Sequence, residues 1–402
     1  MAQLVKKQYL LPFILITSLF FMWGFARAVL DVLNKHFQET LSISITQSTL
    51  IQTTTYLGYF LMALPAGIII TRRGYRFGVV MGLLLFGLGA LIFIPGEHLM
   101  SFPVFLGALF VIGCGLVMLE TAANPYATEL GDPATGASRL NLAQSFNGLG
   151  CILAPVIVGG FLFSGEGNSV ALPYSIMGVA VLAVALFFTR MKLPEIQQAT
   201  AVGEEDAPMT IRETIKWLWS RRRFRIGVIA LFCYEIAEIS INSLFINYAT
   251  SDGWMDKTEA SFVLSFGALG LFMLARVAGS WVMSRVRAEK VLLICAVMTV
   301  IGALAVVANI GAISKAGVFV CYAFEAIMFP TIFAITIVGV GRASKIASSF
   351  LMMTPLGGAV GTFLMGFVAD ATSMSTAFIV PAAGYAFVLL YAVAAAAKKF
   401  DK

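Results

Sequence analysis

Long apolar runs, separated by short polar segments, follow one another along nearly the whole chain. A run of about 20 apolar residues is long enough to cross a hydrocarbon core of ~30 Å as a helix. A lone strand would leave its backbone groups unpaired in lipid, so helices are the expected elements. The pattern predicts twelve membrane-spanning helices, at residues 9–36, 45–71, 76–95, 101–128, 139–164, 171–191, 224–250, 259–284, 289–310, 315–340, 344–369 and 374–397.

The longest polar interruption lies between the sixth and seventh of these helices, at residues 192–223, and it ends in three consecutive arginines. A polar interruption of this length divides the twelve helices into two sets of six. We therefore expect an N-terminal six-helix bundle at 1–192, a cytoplasmic linker at 193–223 and a C-terminal six-helix bundle at 224–402.

Two similar basic segments lie six helices apart. Gly67–Arg76 follows the second predicted helix, and Gly279–Arg287 follows the eighth. A repeat at this distance indicates a duplicated bundle. The expected fold class is an all-α membrane protein whose twelve transmembrane helices form two pseudo-symmetric six-helix bundles. Within the linker, residues 209–220 predict a short amphipathic helix with Trp217 and Trp219 at the membrane interface.

The composition agrees with a membrane protein. Charged residues make up 12% of the chain and hydrophobic residues 59%, whereas soluble domains carry roughly 25% charged residues. The mean hydropathy is +0.90. Lysines and arginines gather in the loops of one side, which predicts a multi-pass protein of the bacterial inner membrane with both termini cytoplasmic. The first apolar run is too long for a cleaved signal peptide, so we expect it to remain as the first helix.

The same residues argue against several functional classes. The five cysteines all lie inside apolar runs, where burial explains them better than disulfides or metal sites, and the two histidines lie near helix ends. No spacing typical of a metal site or of a catalytic nucleophile with its base is present. The basic residues follow the predicted topology. We therefore expect neither an enzyme nor a nucleic-acid partner.

Arg27 and Asp31 lie inside the first apolar run. Residues four apart share one face of a helix. An ionisable group at membrane depth costs several kcal/mol and usually has a function. This helix is therefore expected to form one wall of a polar path through the bilayer.

Further ionisable residues occur inside other apolar runs. Glu120 lies in the fourth predicted helix, in a setting that disfavours a charged carboxylate. Glu235, Glu238 and Asn242 in the seventh helix share one face because they are spaced by three and four residues. Arg276 lies in the eighth helix and Glu325 in the tenth, and together these side chains predict a charge network at membrane depth.

Several motifs resemble the major facilitator superfamily and, more specifically, its fucose–proton symporter family, which includes bacterial fucose and glucose/galactose transporters. The loop after the second helix has the basic glycine and arginine pattern of the superfamily, although Thr71 stands where an Asp is common. The motifs of the narrower family are Phe20–Phe25 with Asp31–Leu33, Gly58–Phe60 with Pro65–Gly67, Leu119–Pro125, Arg139–Asn147 and Phe329–Phe333.

The resemblance implies a secondary active transporter that imports a hexose or hexose derivative with a proton by alternating access. By the same resemblance Glu120 and Asp31 match the proton-coupling carboxylates, with Glu120 favoured as the proton carrier. Gln144 and Asn147 match polar residues that face the sugar cavity in this family. Glu238 matches a position at which the family commonly has Glu or Gln. The implied partners are a small-molecule sugar and membrane lipid, and the protein is expected to be a monomer with no cofactor besides the coupling ion.

The residues leave alternatives open. Arg27 either pairs with Asp31 and keeps it ionised, or extends toward the interface or another partner. The additional charges fit an internal salt-bridge network, a charged sugar such as an acidic or amino sugar, or a Na⁺ site. The main alternatives to proton-coupled hexose import are therefore coupling to Na⁺ and transport of a charged sugar. An exporter and a sugar sensor are less favoured alternatives. Asn242 supplies an amide for sugar hydroxyls, and Trp23 is either a stacking platform for a sugar ring or a packing residue.

Overall fold

In this computed structural model the described residues are 5, 7–40, 42–130, 136–163, 169, 171–191, 210–251, 253–283, 285–337, 340 and 343–397. Within these ranges the regular elements are helices. Twelve of the helical segments are long and apolar enough to cross a membrane. In chain order they are α1 (Leu10–Gln38), α2 (Ile45–Ile70), α3 (Arg72–His98), α4 (Phe102–Asn124), α5 (Leu142–Gly159), α6 (Ala171–Arg190), α7 (Arg222–Ser251), α8 (Lys257–Met283), α9 (Ala288–Val307), α10 (Gly311–Ile337), α11 (Ile346–Ala371) and α12 (Met374–Ala396).

The structure confirms the all-α fold class and the twelve predicted spans. Two of the spans, α10 and α11, are interrupted for two or more residues near a proline, where the hydrophobic pattern gave a continuous helix. In α10, the helix Gly311–Glu325 stops and a second helix begins at Met328. In α11, the helix that ends at Leu351 is followed by a turn before the next helix begins at Leu356.

A proline explains each interruption. Proline has no N–H, and its ring clashes with the carbonyl four residues earlier. Pro330 thus frees the carbonyl of Ala326, which instead accepts a hydrogen bond from Arg276 Nε at 3.0 Å. In α11, the residue four before Pro355 is Leu351, whose carbonyl accepts Thr354 Oγ1 at 2.7 Å. The interruption of α11 therefore lies at the Thr354–Pro355 pair.

The basic loop after α2 turns at a glycine. Gly74 has a φ of 83° and a ψ of 168°, a conformation that glycine adopts at little cost because it has no Cβ. This one residue separates two helical stretches that otherwise run on from Leu50 to Leu91.

Two buried hydrophobic clusters form the cores of the protein. The first is built almost wholly from α1 to α6, with Ile239 and Ala359 as the contributions of the second half. The second is built from α7 to α12. The exact bounds of the two bundles and of the linker stay a prediction, since residues 192–209, most of the linker, lie outside the described residues.

Among the described residues, the two halves meet mainly through three pairs of helices, α1 with α7, α2 with α11 and α5 with α8. Where α1 ends and α2 begins, Asn247 of α7 donates a hydrogen bond to Gln38 Oε1 at 2.7 Å. At the same end, the carboxylate of Asp370 in α11 accepts the backbone N–H of Thr46 at 2.8 Å. An anionic group is favoured at such a helix N-terminus. Gly159 of α5 packs closely against Ser261 of α8. We call this end of the bundle, marked by Gln38, Thr46, Asn247 and Asp370, the Gln38 end.

The amphipathic helix predicted at 209–220 is present as Ile211–Ser220. Thr210 caps it, because its hydroxyl accepts the N–H of Glu213 and its own N–H donates to the Glu213 carboxylate. Leu218 is buried against α7 and the start of α11. Trp219 packs edge-on against Phe350, with 5.6 Å between ring centroids. The helix is therefore attached to the membrane bundle through its apolar face.

Candidate functional site: a charged cluster between the halves

An ion pair links the first helix of each half. Nη2 of Arg27 in α1 lies 2.9 Å from Oε2 of Glu238 in α7. The side chain of Glu238 is 9% exposed and that of Arg27 is 36% exposed. A guanidinium has five N–H donors, so the Nη2 contact to Glu238 leaves further donors that another group can use.

The face of α7 predicted from the spacing of its polar residues is turned toward this ion pair. Asn242 Nδ2 donates to Glu238 Oε1 at 3.0 Å, so both carboxylate oxygens of Glu238 have partners. Glu235, one turn earlier, is buried, and its Oε2 has no hydrogen-bond partner among the described residues. An acid so placed requires a compensating positive charge or a proton, because an uncompensated buried charge is costly.

Glu120 of α4 joins the cluster from the N-terminal half. Its Oε1 accepts a hydrogen bond from Tyr59 Oη of α2 at 3.0 Å. Arg27 interacts electrostatically with Glu120 and with Glu235, and these two acids interact with each other. Arg27, Glu120, Glu235, Glu238 and Asn242 therefore form one group at the contact of the two halves, which we call the central cluster.

The two amides predicted in α5 lie against helices of the same half. Asn147 Nδ2 donates to the Phe20 carbonyl of α1 at 3.2 Å. Gln144 Nε2 lies 3.4 Å from Asn124 Oδ1 of α4. Gly24 permits the contact of α1 with α5, since a Cβ there would lie 2.2 Å from the Asn147 carbonyl oxygen. Both amides are half-buried and have polar atoms left for a ligand.

The three residues predicted in α1, Trp23, Arg27 and Asp31, differ in what the structure shows of them. Trp23 is buried, and its ring centroid lies 4.1 Å from that of Phe20, which favours the packing interpretation over a stacking platform. Asp31 lies within the helix, but its side chain lies outside the described residues, so its coupling role stays a prediction. Arg27 has found a partner in Glu238, one of the outcomes that the sequence left open.

Arg276 and Glu325 lie deeper in the C-terminal half. Arg276 Nε donates to the Ala326 carbonyl, and its guanidinium stacks over the Phe272 ring at 4.7 Å. Glu325 is buried and accepts a hydrogen bond from Tyr385 of α12. Both side chains interact electrostatically with Glu238, so the predicted charge network extends from the central cluster into this half.

Three tyrosines were missed at the sequence level. The hydroxyl of Tyr59 donates a hydrogen bond to the Glu120 carboxylate, and that of Tyr385 donates to the Glu325 carboxylate. The hydroxyl of Tyr234 donates to the backbone carbonyl of Glu325 at 3.2 Å. A buried tyrosine hydroxyl normally needs a polar partner. The occurrence of tyrosine in the middle of an apolar run is therefore a usable signal, although it does not identify the partner.

The described residues contain no group of three histidine, cysteine, aspartate or glutamate side chains placed to hold a metal ion. What the central cluster offers is a set of carboxylates, one guanidinium and amides between two helical bundles. Such groups take up protons and bind hydroxyls. A chain with twelve helices long and apolar enough to cross a membrane, and with such a cluster between its two bundles, has the architecture of a polytopic membrane transporter, a class in which binding sites lie between the two repeats.

Comparisons with known proteins agree with this class. Residues 15–344 match the Major Facilitator Superfamily. The chain is 34% identical to the L-fucose-proton symporter of Escherichia coli (strain K12), over 96% of this chain and 93% of that protein. It is also 34% identical to a glucose/galactose transporter of Brucella abortus biovar 1 (strain 9-941), over 96% of this chain and 94% of that protein.

Solved structures give the same result. A crystal structure of FucP in the outward conformation has a TM-score of 0.75 and 34% identity, covering 96% of this chain and 99% of that chain. The crystal structure of a D-xylose-proton symporter has a TM-score of 0.73 at 15% identity, which shows the shared fold alone. The chain belongs to the Major Facilitator Superfamily, and within it to the family of the bacterial fucose and glucose/galactose transporters. It is a transporter and not an enzyme, as its sequence predicts.

Proposed function

We propose that the protein imports a hexose or hexose derivative together with a proton, by alternating access across the bacterial inner membrane. The termini would lie in the cytoplasm. The observation that carries this proposal is the central cluster, where Arg27 and Glu238 pair at 2.9 Å between the halves. Its support is the 34% identity to an L-fucose-proton symporter over nearly the whole chain. Rocking of two bundles about such a site opens it to one side at a time.

Glu120 is proposed as the proton carrier, with Asp31 coupled to it. Glu120 interacts electrostatically with Arg27, which holds Glu238 of the opposite half. A proton on Glu120 removes a negative charge from the surroundings of Arg27. The Arg27–Glu238 contact then changes in strength, so proton binding shifts the equilibrium between conformations in which the halves meet differently.

The sugar is proposed to bind beside the central cluster. Sugar hydroxyls accept and donate hydrogen bonds, and amides and carboxylates match them in pairs. Gln144, Asn147, Asn242 and Glu238 supply these groups from α5 and α7. Trp23 is buried against Phe20, so in this conformation it packs within α1 and its ring is not exposed to a ligand.

A charged hexose derivative is the second candidate, because one contact to Glu238 leaves further N–H donors on the 36% exposed Arg27 side chain. A carboxylate on the sugar would fit this guanidinium. Coupling to Na⁺ in place of the proton is the remaining alternative. In each case the protein is proposed to act as a monomer in the lipid bilayer, with no cofactor besides the coupling ion.

The test is uptake by the purified protein in proteoliposomes, with H⁺ and Na⁺ gradients imposed separately. The substrates are radiolabelled L-fucose, D-glucose and D-galactose, with a hexuronate and a hexosamine beside them. We expect a neutral hexose to accumulate under the H⁺ gradient alone. Glu120→Gln should abolish this accumulation, because the amide keeps the shape of the carboxyl group but cannot take up or release a proton.

Glu259→Gln is the matched control, since Glu259 is exposed at the start of α8 and lies outside the cluster. It should accumulate hexose as the wild type does. Accumulation that follows Na⁺ alone would contradict the proton proposal. Uptake restricted to the hexuronate or hexosamine would assign Arg27 and the additional acids to a charged substrate.

A further inference from the structure

Glu325 is a buried acid that the proposed coupling by Glu120 does not use. It is 0% exposed. Its Oε2 accepts a hydrogen bond from Tyr385, whereas its Oε1 has no hydrogen-bond partner among the described residues. An ionised carboxylate is acceptor-only and needs several donors when buried. One neutral hydroxyl does not meet that need, so this packing suits the carboxyl group with its proton in place.

The surroundings of Glu325 come from four helices besides its own. The groups that can change charge or already carry one are Tyr234 and Glu238 from α7, Arg276 from α8, Tyr385 from α12, Cys321 on α10 itself and Arg27 from α1. The α9 segment 291–307, which packs against α10, has no charged residue. Of the two cations in this group, Arg276 is the one that contacts the break in α10, through its hydrogen bond to the Ala326 carbonyl.

The break in α10 lies directly beside Glu325 and is held by side chains of α7 and α8. Tyr234 Oη donates to the Glu325 carbonyl at 3.2 Å. Arg276 Nε donates to the Ala326 carbonyl at 3.0 Å. The backbone at the break is therefore secured by side-chain hydrogen bonds that can exchange, and it lacks the continuous ladder of an intact helix. A movement of α7 or α8 changes these contacts and the surroundings of the Glu325 carboxyl group together.

We propose that Glu325 is a second proton-binding group of the transport cycle, located in the C-terminal half and gated by the break in α10. This proposal rests on the proposed proton coupling. In the packing described, Glu325 holds its proton. When the break rearranges, the proton passes from the carboxyl group to water on the side that has opened, and the remaining carboxylate is compensated by Arg276. Protonation from the other side returns the acid to its neutral form.

The position of Glu325 gives it a route to the central cluster. It interacts electrostatically with Glu238, the carboxylate that binds Arg27 of the opposite half. A negative charge on Glu325 therefore disfavours the negative charge on Glu238 and weakens the inter-half ion pair. Loss of the proton in the C-terminal half is thus linked to separation of the halves.

The experiment compares sugar exchange with proton-driven accumulation in proteoliposomes, using whichever of L-fucose, D-glucose and D-galactose the wild type accumulates. Glu325→Gln imitates the protonated acid permanently. We expect its exchange rate to stay within about twofold of the wild type, while driven accumulation falls by about tenfold or more, because proton transfer is lost. Its ratio of protons to sugar should fall below the wild-type ratio. Glu325→Asp keeps a titratable group and should restore accumulation with a shifted pH profile.

Wild-type accumulation and a wild-type proton-to-sugar ratio in Glu325→Gln would overturn the proposal. So would loss of exchange in both the Gln and the Asp variants, since that pattern marks a packing role. If Glu325→Gln does not fold, Tyr385→Phe is the variant to measure, because it removes only the hydroxyl that donates to Glu325. An unchanged pH profile of accumulation in Tyr385→Phe would then refute the proposal. If sugar accumulation by the wild-type protein does not depend on the H⁺ gradient, the proposed function itself is refuted. The failure of the Glu325 proposal and the failure of the proposed function are therefore distinguishable.

Discussion

Arg27 and Glu238 are separated by 211 positions in the chain and touch only because the two halves meet. Burying charged groups costs free energy, and removing one member of a buried pair leaves the other uncompensated, at a cost of about 3–5 kcal/mol. Glu238 is nearly enclosed, whereas Arg27 is partly open. The larger penalty is therefore expected when Arg27 is removed and the carboxylate of Glu238 remains.

This argument predicts non-additive stability. Arg27→Gln and Glu238→Gln should each lower the unfolding temperature in detergent, and the double variant should recover part of the loss because no lone charge remains. The interaction energy from the double-mutant cycle should be about 0.5–3 kcal/mol. A double variant whose loss equals the sum of the single losses would contradict the importance of the pair.

The exposed pair Arg287–Glu289 is the matched control. Its Nε–Oε2 distance is 3.5 Å, with side chains 45% and 26% exposed. Water screens such a pair, so its contribution is about 0–1 kcal/mol. The same glutamine substitutions there should leave the unfolding temperature nearly unchanged.

At the scale of elements, the contact of α1 with α5 depends on the absence of a side chain. A Cβ on Gly24 would lie 2.2 Å from the carbonyl oxygen of Asn147, so alanine cannot be accommodated without separating the helices. Overpacking of this kind costs about 1–3 kcal/mol. The same contact positions Asn147, whose amide donates to α1.

Gly24→Ala is therefore expected to lower both the unfolding temperature and the apparent affinity for sugar, as measured by thermal unfolding and by uptake kinetics. Gly107→Ala in α4 is the control, because a Cβ there meets nothing within 4 Å. In an exposed helical position alanine should stabilise by about 0.5–1 kcal/mol relative to glycine. Equal effects of the two substitutions would show that the close approach of α1 and α5 is not required.

The helix Ile211–Ser220 has a pH-sensitive start. Hydrogen bonds from the N–H and hydroxyl of Thr210 lower the pKa of Glu213 below its ordinary value. A carboxylate whose pKa is lowered by folding stabilises the helix above its ordinary pKa of about 4.3, and this contribution is lost as the pH falls through the lowered value. Acid should therefore loosen the first turn while the membrane helices stay folded.

Hydrogen exchange of the amides at 211–214, corrected for the intrinsic pH dependence, should show falling protection between about pH 5 and pH 3. Glu213→Gln keeps an oxygen acceptor but does not titrate, so its protection should be lower and independent of pH. A pH dependence that persists in Glu213→Gln would assign the effect to another group.

At the scale of the whole molecule, alternating access requires the two halves to separate at the Gln38 end during each cycle. The contact between Asn247 and Gln38 Oε1, at 2.7 Å, joins α7 to α1 across the halves there. The contact between Ser169 and Glu97, at 2.9 Å, lies within the N-terminal half. These two pairs allow the same perturbation to be applied across and within the halves.

Cysteines placed at Gln38 and Asn247 and joined by a short cleavable thiol cross-linker should abolish hexose uptake, and reduction should restore it. The native cysteines, which are buried or half-buried, are replaced by serine or alanine in this background. Cysteines at Glu97 and Ser169, cross-linked in the same way, should leave uptake intact because no inter-half motion is blocked. Full uptake by the cross-linked Gln38 and Asn247 pair would contradict rocking of the halves.

The hydrophobic pattern was sufficient to predict the twelve spans and the fold class, because lipid allows long apolar runs few structures other than helices. The family was predicted separately, from short motifs that resemble those of its members. It also identified the acids and arginines at membrane depth, since such residues stand out against an apolar background. The spacing of Glu235, Glu238 and Asn242 correctly placed them on one face, because helical periodicity is local.

The packing of the helices against one another establishes which of these residues meet. The spacing along α1 made Asp31 one candidate partner for Arg27, whereas only the packing of α1 against α7 brings Glu238 to 2.9 Å from it. The break in α10 at Ala326 likewise needed a partner, Arg276, from another helix. Local patterns specify helices and their faces, whereas contacts between helices depend on the rotation and depth of each one, which arise from all the side chains packed together.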